Sequence, residues 1–212
     1  MQNNNISESA LKEQQLTEKE MQRRGRKVFM LMLVFFIVPI LVVILMFKLN
    51  WKPSGASLGE LVKPPRLLNT PSMLRASDAK PLTSAMWKER WSIVYVAANC
   101  KEDCLNKLHD MRQLHVSLYK DIERTQRVLI TSTQDVTNIK RDYPDMLIVN
   151  QPLDSIAELS QQFQINNEEA TTANRMYLVD PLGHLMMSYQ PKVPLADVRK
   201  DITRLLRYSW AG

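Results

Sequence analysis

The sequence predicts an α/β domain, a mainly parallel sheet with helices on both faces, carried on one N-terminal membrane-spanning helix. Three observations lead there. Residues 28–47 read VFMLMLVFFIVPILVVILMF without a charge, about the 20 residues a helix needs to cross a hydrocarbon core. Downstream, short runs that are apolar almost throughout alternate with segments of helical period, the pattern of a sheet covered on both sides. Near the C-terminus two apolar runs flank the turn sequence Asp180-Pro181-Leu182-Gly183, which adds an antiparallel hairpin at the edge.

The composition fits this plan. The chain has 212 residues, 45% hydrophobic and 24% charged, room for one domain with an ordinary core and too apolar for a disordered chain. Its mean hydropathy of -0.26 averages a polar domain with one greasy helix. Five Gly and two Cys exclude a collagen-like repeat, a disulfide-dense scaffold and a four-cysteine zinc site. Arg23, Arg24, Arg26 and Lys27 abut the start of the apolar run, and Lys48 and Lys52 follow it. The denser cluster on the N-terminal side predicts a cytoplasmic N-terminus with everything after Lys48 outside. The run and its leader are too long for a cleaved signal peptide, and no A-x-A-like site follows. Residues 1–27 are thus expected to form a short, weakly ordered cytoplasmic tail and residues 28–48 the transmembrane helix, in which Pro39 is tolerated. The net charge of +6 is tilted by these orienting cations. With no basic stripe interleaved with aromatics downstream, nucleic acid is not an expected partner.

Residues 49–83 carry Pro53, Pro64, Pro65, Pro71 and Pro81, nearly half of the 11 Pro. Proline at this density predicts a stiff linker, neither a long helix nor a central strand, packed on the domain through Leu58, Leu61 and Leu67. Trp51 reads as an aromatic anchor at the membrane surface. The domain proper is expected over 84–212. Residues 91–98 (WSIVYVAA) form a buried strand, and 100–119 a helix with Cys104, Leu108, Met111, Leu114, His115 and Leu118 on one face. Residues 127–131 (RVLIT) and 146–149 (MLIV) are further strands. Asp154 is expected to cap a helix holding Ile156, Leu159 and Phe163 inward. Residues 176–179 (MYLV) and 185–189 form the hairpin, and Pro194 opens a last helix with Leu195, Val198, Ile202, Leu205 and Leu206 facing in. No G-x-G-x-x-G or Walker sequence is present.

One constellation carries chemistry: Cys100-Lys101-Glu102-Asp103-Cys104. It follows the first strand and opens a helix, so the first thiol sits at a helix N-terminus, where the dipole favours a thiolate. Residues four apart on a helix have Cα atoms about 6 Å apart, within disulfide reach, and the topology puts both in a disulfide-permissive compartment. Cys104 joins the apolar face and is expected to be the buried, resolving thiol; Cys100 is expected to be the exposed, attacking one. Lys101 favours a thiolate, while Glu102 and Asp103 oppose it. A redox or metal pair stands against a merely stabilising disulfide, whose very short loop would contribute little entropically. Two thiolates also suit Cu(I). On a helix His109 lies about 140° around from Cys104, and His115 about 16 Å further along. His184 belongs to the far end of the hairpin. None is placed as a third ligand, whereas Met176 at the start of its strand is nearer. Trp87, Trp91 and Trp210 read as core or rim aromatics, and no serine elbow or H-E-x-x-H is present.

The Cys pair after the first strand, YLVDPLG at 177–183 and the C-terminal helix together resemble the thioredoxin-like superfamily. That implies a central mixed sheet with flanking helices. The C-x-x-x-C spacing is similar to the Sco branch, membrane-anchored copper proteins that help to assemble the CuA centre of cytochrome c oxidase. Cys104-Leu105, Met111-Arg112-Gln113, Glu123-Arg124 with Arg127-Val128, 177–183 with Leu185-Met186-Met187, and 201–206 resemble a proteobacterial family of single-pass proteins associated with oxidase assembly. Leu105 stands where Sco proteins usually have Pro, and Thr172 where they have the metal-binding His. The resemblance therefore carries over two thiols and not the third copper ligand. It implies a factor for cytochrome c oxidase assembly in a bacterial inner membrane, its C-terminal domain periplasmic and its partner an oxidase subunit or another assembly factor. Its chemistry would be thiol-disulfide exchange, or transient copper handling, through Cys100 and Cys104. The alternative is a non-catalytic, membrane-tethered binding module with a structural disulfide.

Overall fold

The computed structural model describes residues 3–49 and 57–209, with side chains from residue 23 onward. The chain divides into two compact units, Met1–Ala56 and Ser57–Gly212. In the first, α1 (Asn3–Lys48) is a single helix containing Pro39. Within its stretch Arg23–Lys48 the most apolar window of 18 residues has a mean hydropathy of 3.3, and among the described residues it is the one helix long and apolar enough to cross a membrane. Side chains such as Phe35 and Leu31 are more than 70% exposed, which suits a lipid solvent. The expected weakly ordered tail is helical from Asn3 onward. Its Glu, Lys, Gln and Leu are good helix formers, and no proline interrupts them.

The second unit is built on one seven-stranded sheet: β1 (Glu60–Leu67), β2 (Arg75–Ala76), β3 (Trp91–Ala97), β4 (Thr125–Thr131), β5 (Leu147–Gln151), β6 (Met176–Val179) and β7 (His184–Tyr189), in the order β1-β7-β6-β3-β4-β5-β2. Only β3-β4 and β4-β5 run parallel, and the other pairings are antiparallel. The sheet is thus mixed rather than mainly parallel. Every residue of β3 is buried. Ile93, Tyr95 and Ala97 face one layer with α2 (Glu102–Val116), α3 (Thr137–Asp142) and α5 (Leu195–Tyr208). Val94 and Val96 face the other with Trp87 and α4 (Leu153–Gln161). Beyond α4, Phe163 meets Tyr177 edge to face at 5.2 Å.

The linker expected over 49–83 needs correction. Residues 50–56, with Trp51 and Pro53, lie outside the described residues, but from Ser57 onward the segment supplies both edges of the sheet. β1 pairs with β7 and β2 with β5. Pro64 and Pro65 are accommodated because β1 is an edge strand whose register slips between Leu61 and Arg66, where missing N–H donors cost no ladder bond. Leu58, Leu61 and Leu67 are exposed; Leu68 and Leu74 are the side chains that pack inward. A Cβ on Gly59 would fall 2.5 Å from Met187 Cε and 2.7 Å from Tyr189 Cε1, so only glycine lets the chain lie this close to β7.

Smaller departures concern helix ends. Asp154 does not cap α4; Pro152 occupies that position, and Asp154 sits in the first turn, where its charge still meets the helix dipole favourably. The 3-10 turn Tyr119–Arg124 and the short α3 carry too few apolar positions to show a period. At the end of α2, His115 is buried and shares a hydrogen bond with Thr125 O at 3.2 Å, beside the ion pair Arg127–Asp145. Burial first, then the Arg127 charge, hold its imidazole below the ordinary 6.5 although Thr125 opposes this. A histidine depressed on folding binds fewer protons folded than unfolded. Its contribution is complete above about pH 6.5 and is lost as pH falls. His115→Gln should flatten the fall of urea-unfolding stability below that pH, and an unchanged slope would place the acid sensitivity elsewhere.

Candidate functional site

The site forms where β3, β4 and β5 end together. After Ala97 the chain leaves the sheet, and Ala98 N–H donates to Thr171 O at 3.4 Å. Cys100 follows, its N–H donating to Thr133 Oγ1 at 2.8 Å. Thr133 is itself fixed: its N–H donates to Thr131 Oγ1 at 3.1 Å, and its carbonyl accepts from Asn150 Nδ2 at 3.2 Å. Lys101 is the N-cap of α2 and offers no side-chain bond; its carbonyl accepts from Leu105 N–H at 2.9 Å. Glu102 and Asp103 lie in the first turn.

Cys100 and Cys104 are joined by a disulfide with Cα atoms 4.9 Å apart. This is closer than two residues on one helical face, because Cys100 precedes the cap and the chain folds back over the turn. Cys104 is 3% exposed, whereas Cys100 is half-buried at the mouth. Both pack in the same apolar cluster as Tyr95 and Met176. Tyr95 Oη donates to Asn174 Oδ1 at 3.0 Å. Burial, then the Asp103 charge, raise the Tyr95 hydroxyl above its usual value, so it stays a neutral donor. Next to Asn174, the buried Arg175 guanidinium donates to Glu168 and Glu60 carboxylates, both at 2.8 Å. These bonds tie the loop before β6 to the edge strand β1. An open cleft of about 530 Å³ borders the site, lined by Ala98, Ser132, Ser160, Gln164 and Thr171 among others.

The three histidines are not part of this arrangement. His109 lies 2.8 Å from Gln113 on the exposed side of α2, and His115 is buried at its far end. His184 contacts Asp180 at 3.1 Å near Val179, which pairs with Ser92 at the opposite end of the sheet from Met176 and Tyr95. Thr172 is exposed, and its hydroxyl donates to Glu169 O at 3.2 Å. Trp87 and Trp91 are buried; Trp210 lies outside the described residues. Among the described residues no group of three or more His, Cys, Asp or Glu is arranged to hold a metal. The donors the site offers a soft ion are the two sulfurs once reduced, a set suited to two-coordinate Cu(I) and short of a three-ligand centre. Thr133, Tyr95, Asn174 and Arg175 carry no signal of their own in the sequence. The nearest to one is the Thr131-Ser132-Thr133 run ending β4, since parallel neighbours bring their C-terminal loops together.

A half-buried sulfur ahead of a helix, with a second sulfur buried behind it on a mixed sheet, defines a thioredoxin-like domain. Residues 91–209 match the family described as "Transmembrane-like, thioredoxin-like, C-terminal domain", and the chain belongs to that family. No curated relative matches its sequence. Among solved structures it is similar to yeast Sco1 with copper bound, at 17% identity and a TM-score of 0.55, covering 74% of this chain and 96% of that one. It is similar to copper-bound ScoI of Arabidopsis thaliana at 14% identity and 0.54, covering 64% and 96%. BsSco, described as a member of the Sco family of cytochrome c oxidase assembly proteins with a disulfide switch, matches at 14% and 0.51, covering 70% and 99%. At these identities the likeness concerns the fold.

Proposed function

We propose that this membrane-anchored protein acts in cytochrome c oxidase assembly by thiol-disulfide exchange through Cys100 and Cys104. The observation that carries the reading is the asymmetry of the pair: one sulfur at the mouth ahead of α2, its partner 3% exposed behind it. Reduced Cys100, as thiolate, attacks a client disulfide sulfur, forms a mixed disulfide and releases one client thiolate. Cys104 then attacks the Cys100 sulfur, releasing the second client thiol and closing the disulfide present here. Two electrons pass to the client, and a thiol protein restores the reduced pair. The basic cluster before residue 28 supports an N-terminus on the cytoplasmic side; by resemblance to the proteobacterial single-pass family the membrane would be a bacterial inner membrane, with the domain in the periplasm. The neighbours described as Sco proteins support an oxidase subunit or another assembly factor as client.

The test is the reduction potential of the full-length pair, read together with oxidase activity in cells. An exchanging pair should titrate above about -300 mV, the upper bound for structural disulfides, and Cys100→Ser should abolish oxidase maturation. A potential below that bound, with Cys100→Ser fully complementing, would leave a binding module with a structural disulfide.

Copper is a second reading, favoured by two adjacent soft donors and by the copper-bound neighbours. The ion would be cargo held by Cys100 and Cys104 in the reduced protein. Anaerobic titration with Cu(I) should give one tight site per chain that disappears in Cys104→Ser. Wild-type stoichiometry near zero would remove copper from the account.

A further inference from the structure

We propose that the outer face of α5 docks on an anionic lipid surface and so holds the domain down against the membrane that α1 crosses. Val198, Ile202 and Leu206 are buried, and Arg199, Lys200, Arg204 and Arg207 fall within about 140° on the opposite side of the helix. Arg199, Lys200 and Arg207 are exposed, and the three form no ion pair among the described residues. Among the described residues neither acid of α5 forms an ion pair with these three. Asp201 is 8% exposed and accepts from Ser57 Oγ at 2.6 Å and Gly59 N–H at 3.3 Å; Asp197 is half-buried in the first turn.

The same bonds say why lipid is the occupant. Ser57 is where the chain enters the domain, and it is bound to the middle of α5. Eight residue steps separate it from Leu49, so whatever path the chain takes the two lie within about 30 Å. Through Ser57, α5 is thus tied to the segment that leads to the membrane helix. Exposed Leu58 and Tyr208, 55% and 79% accessible, flank the cations with the apolar and amphipathic groups that a headgroup layer accepts. α5 begins just after β7, whose Tyr189 pairs with Met176 at the disulfide end of the sheet. The inference rests on α1 as an anchor and not on the chemistry of the Cys pair.

The experiment is neutron reflectometry of the full chain inserted through α1 in supported bilayers. Pure phosphatidylcholine is compared with phosphatidylcholine containing phosphatidylglycerol, each at low and high salt. Three cations near an anionic surface should bias docked over lifted by on the order of a hundredfold. The domain layer should lie against the anionic bilayer at low salt, lift at high salt as the charges are screened, and stay lifted on the neutral bilayer. Arg199→Glu with Lys200→Glu and Arg207→Glu should abolish docking on the anionic bilayer. The lipid and salt comparisons require no variant, so a misfolded triple substitution would not rescue the idea. A layer at the same height on both bilayers would overturn it and leave an acidic protein as the occupant of this face. Failure to insert at all would count against the anchor instead.

Discussion

Replacing Cys104 by Ser should leave the full-length protein covalently joined to its client, as an adduct on non-reducing gels of membranes that dithiothreitol dissolves. Cys100→Ser should give no adduct. The reasoning follows from burial. A client disulfide can approach the half-buried Cys100 but not Cys104, which is 3% exposed. Attack by Cys100 gives a mixed disulfide that only a nearby thiolate resolves, and with Cα atoms 4.9 Å apart Cys104 is that thiolate. A hydroxyl there cannot resolve it, and turnover should fall by several orders of magnitude in either variant. Each variant also loses the disulfide, which for so short a loop is worth about 2 kcal/mol. Since that loss is common to both, a difference in trapping cannot come from stability. Adducts with both variants, or with neither, would return the pair to a structural role.

A soluble fragment starting at residue 57 should fold cooperatively, and one starting at residue 84 should aggregate. Residues 57–83 look dispensable by composition, but they supply β1 and β2 and bury Leu68 and Leu74. Each of those side chains is worth about 1.5–3 kcal/mol. Their loss also strips Glu60 from Arg175, whose side chain is 4% exposed. Glu168 would remain as the carboxylate that holds this buried cation, so the cost stays below the about 3–5 kcal/mol of an unpaired buried charge. Together these take a large share of the stability of an ordinary domain, about 5–15 kcal/mol. The shorter fragment also leaves β7 and β5 as bare edges. Circular dichroism melts and gel filtration of the two fragments decide the point. Equal Tm values would show that the edge strands are ornaments.

The central strands were legible because burial on both faces leaves them apolar over most of their length, with few polar residues such as Ser92. The 91–97 run, MYLV and the DPLG hairpin appear in the structure essentially where composition put them. The Cys pair was legible as chemistry because the types and spacing are rare. β1 and β2 were hidden because proline, the strongest local signal against a strand, is cheap at an edge. The reach of Arg175 to Glu60, across 115 residues of sequence, leaves no trace in local pattern. Tyr95 and Asn174 show the same limit: one hydroxyl in an apolar strand and one amide in a polar loop become partners only once β3 and β6 are paired.

The sheet order carries a kinetic consequence. β1 and β2 are consecutive in the chain yet close opposite margins of the sheet, so the segment between them crosses the whole domain. Neither can settle when it is made. β1 waits for β7, more than a hundred residues later, and β2 waits for β5. In a chain synthesised from the N-terminus, β1, the strand nearest the anchor in sequence, is the last strand to lock. Until it does, β5 and β7 offer unpaired backbone to any extended strand that passes. Deletions or slow decoding near the C-terminus should therefore raise aggregation through the N-terminal segment, far from where the lesion lies.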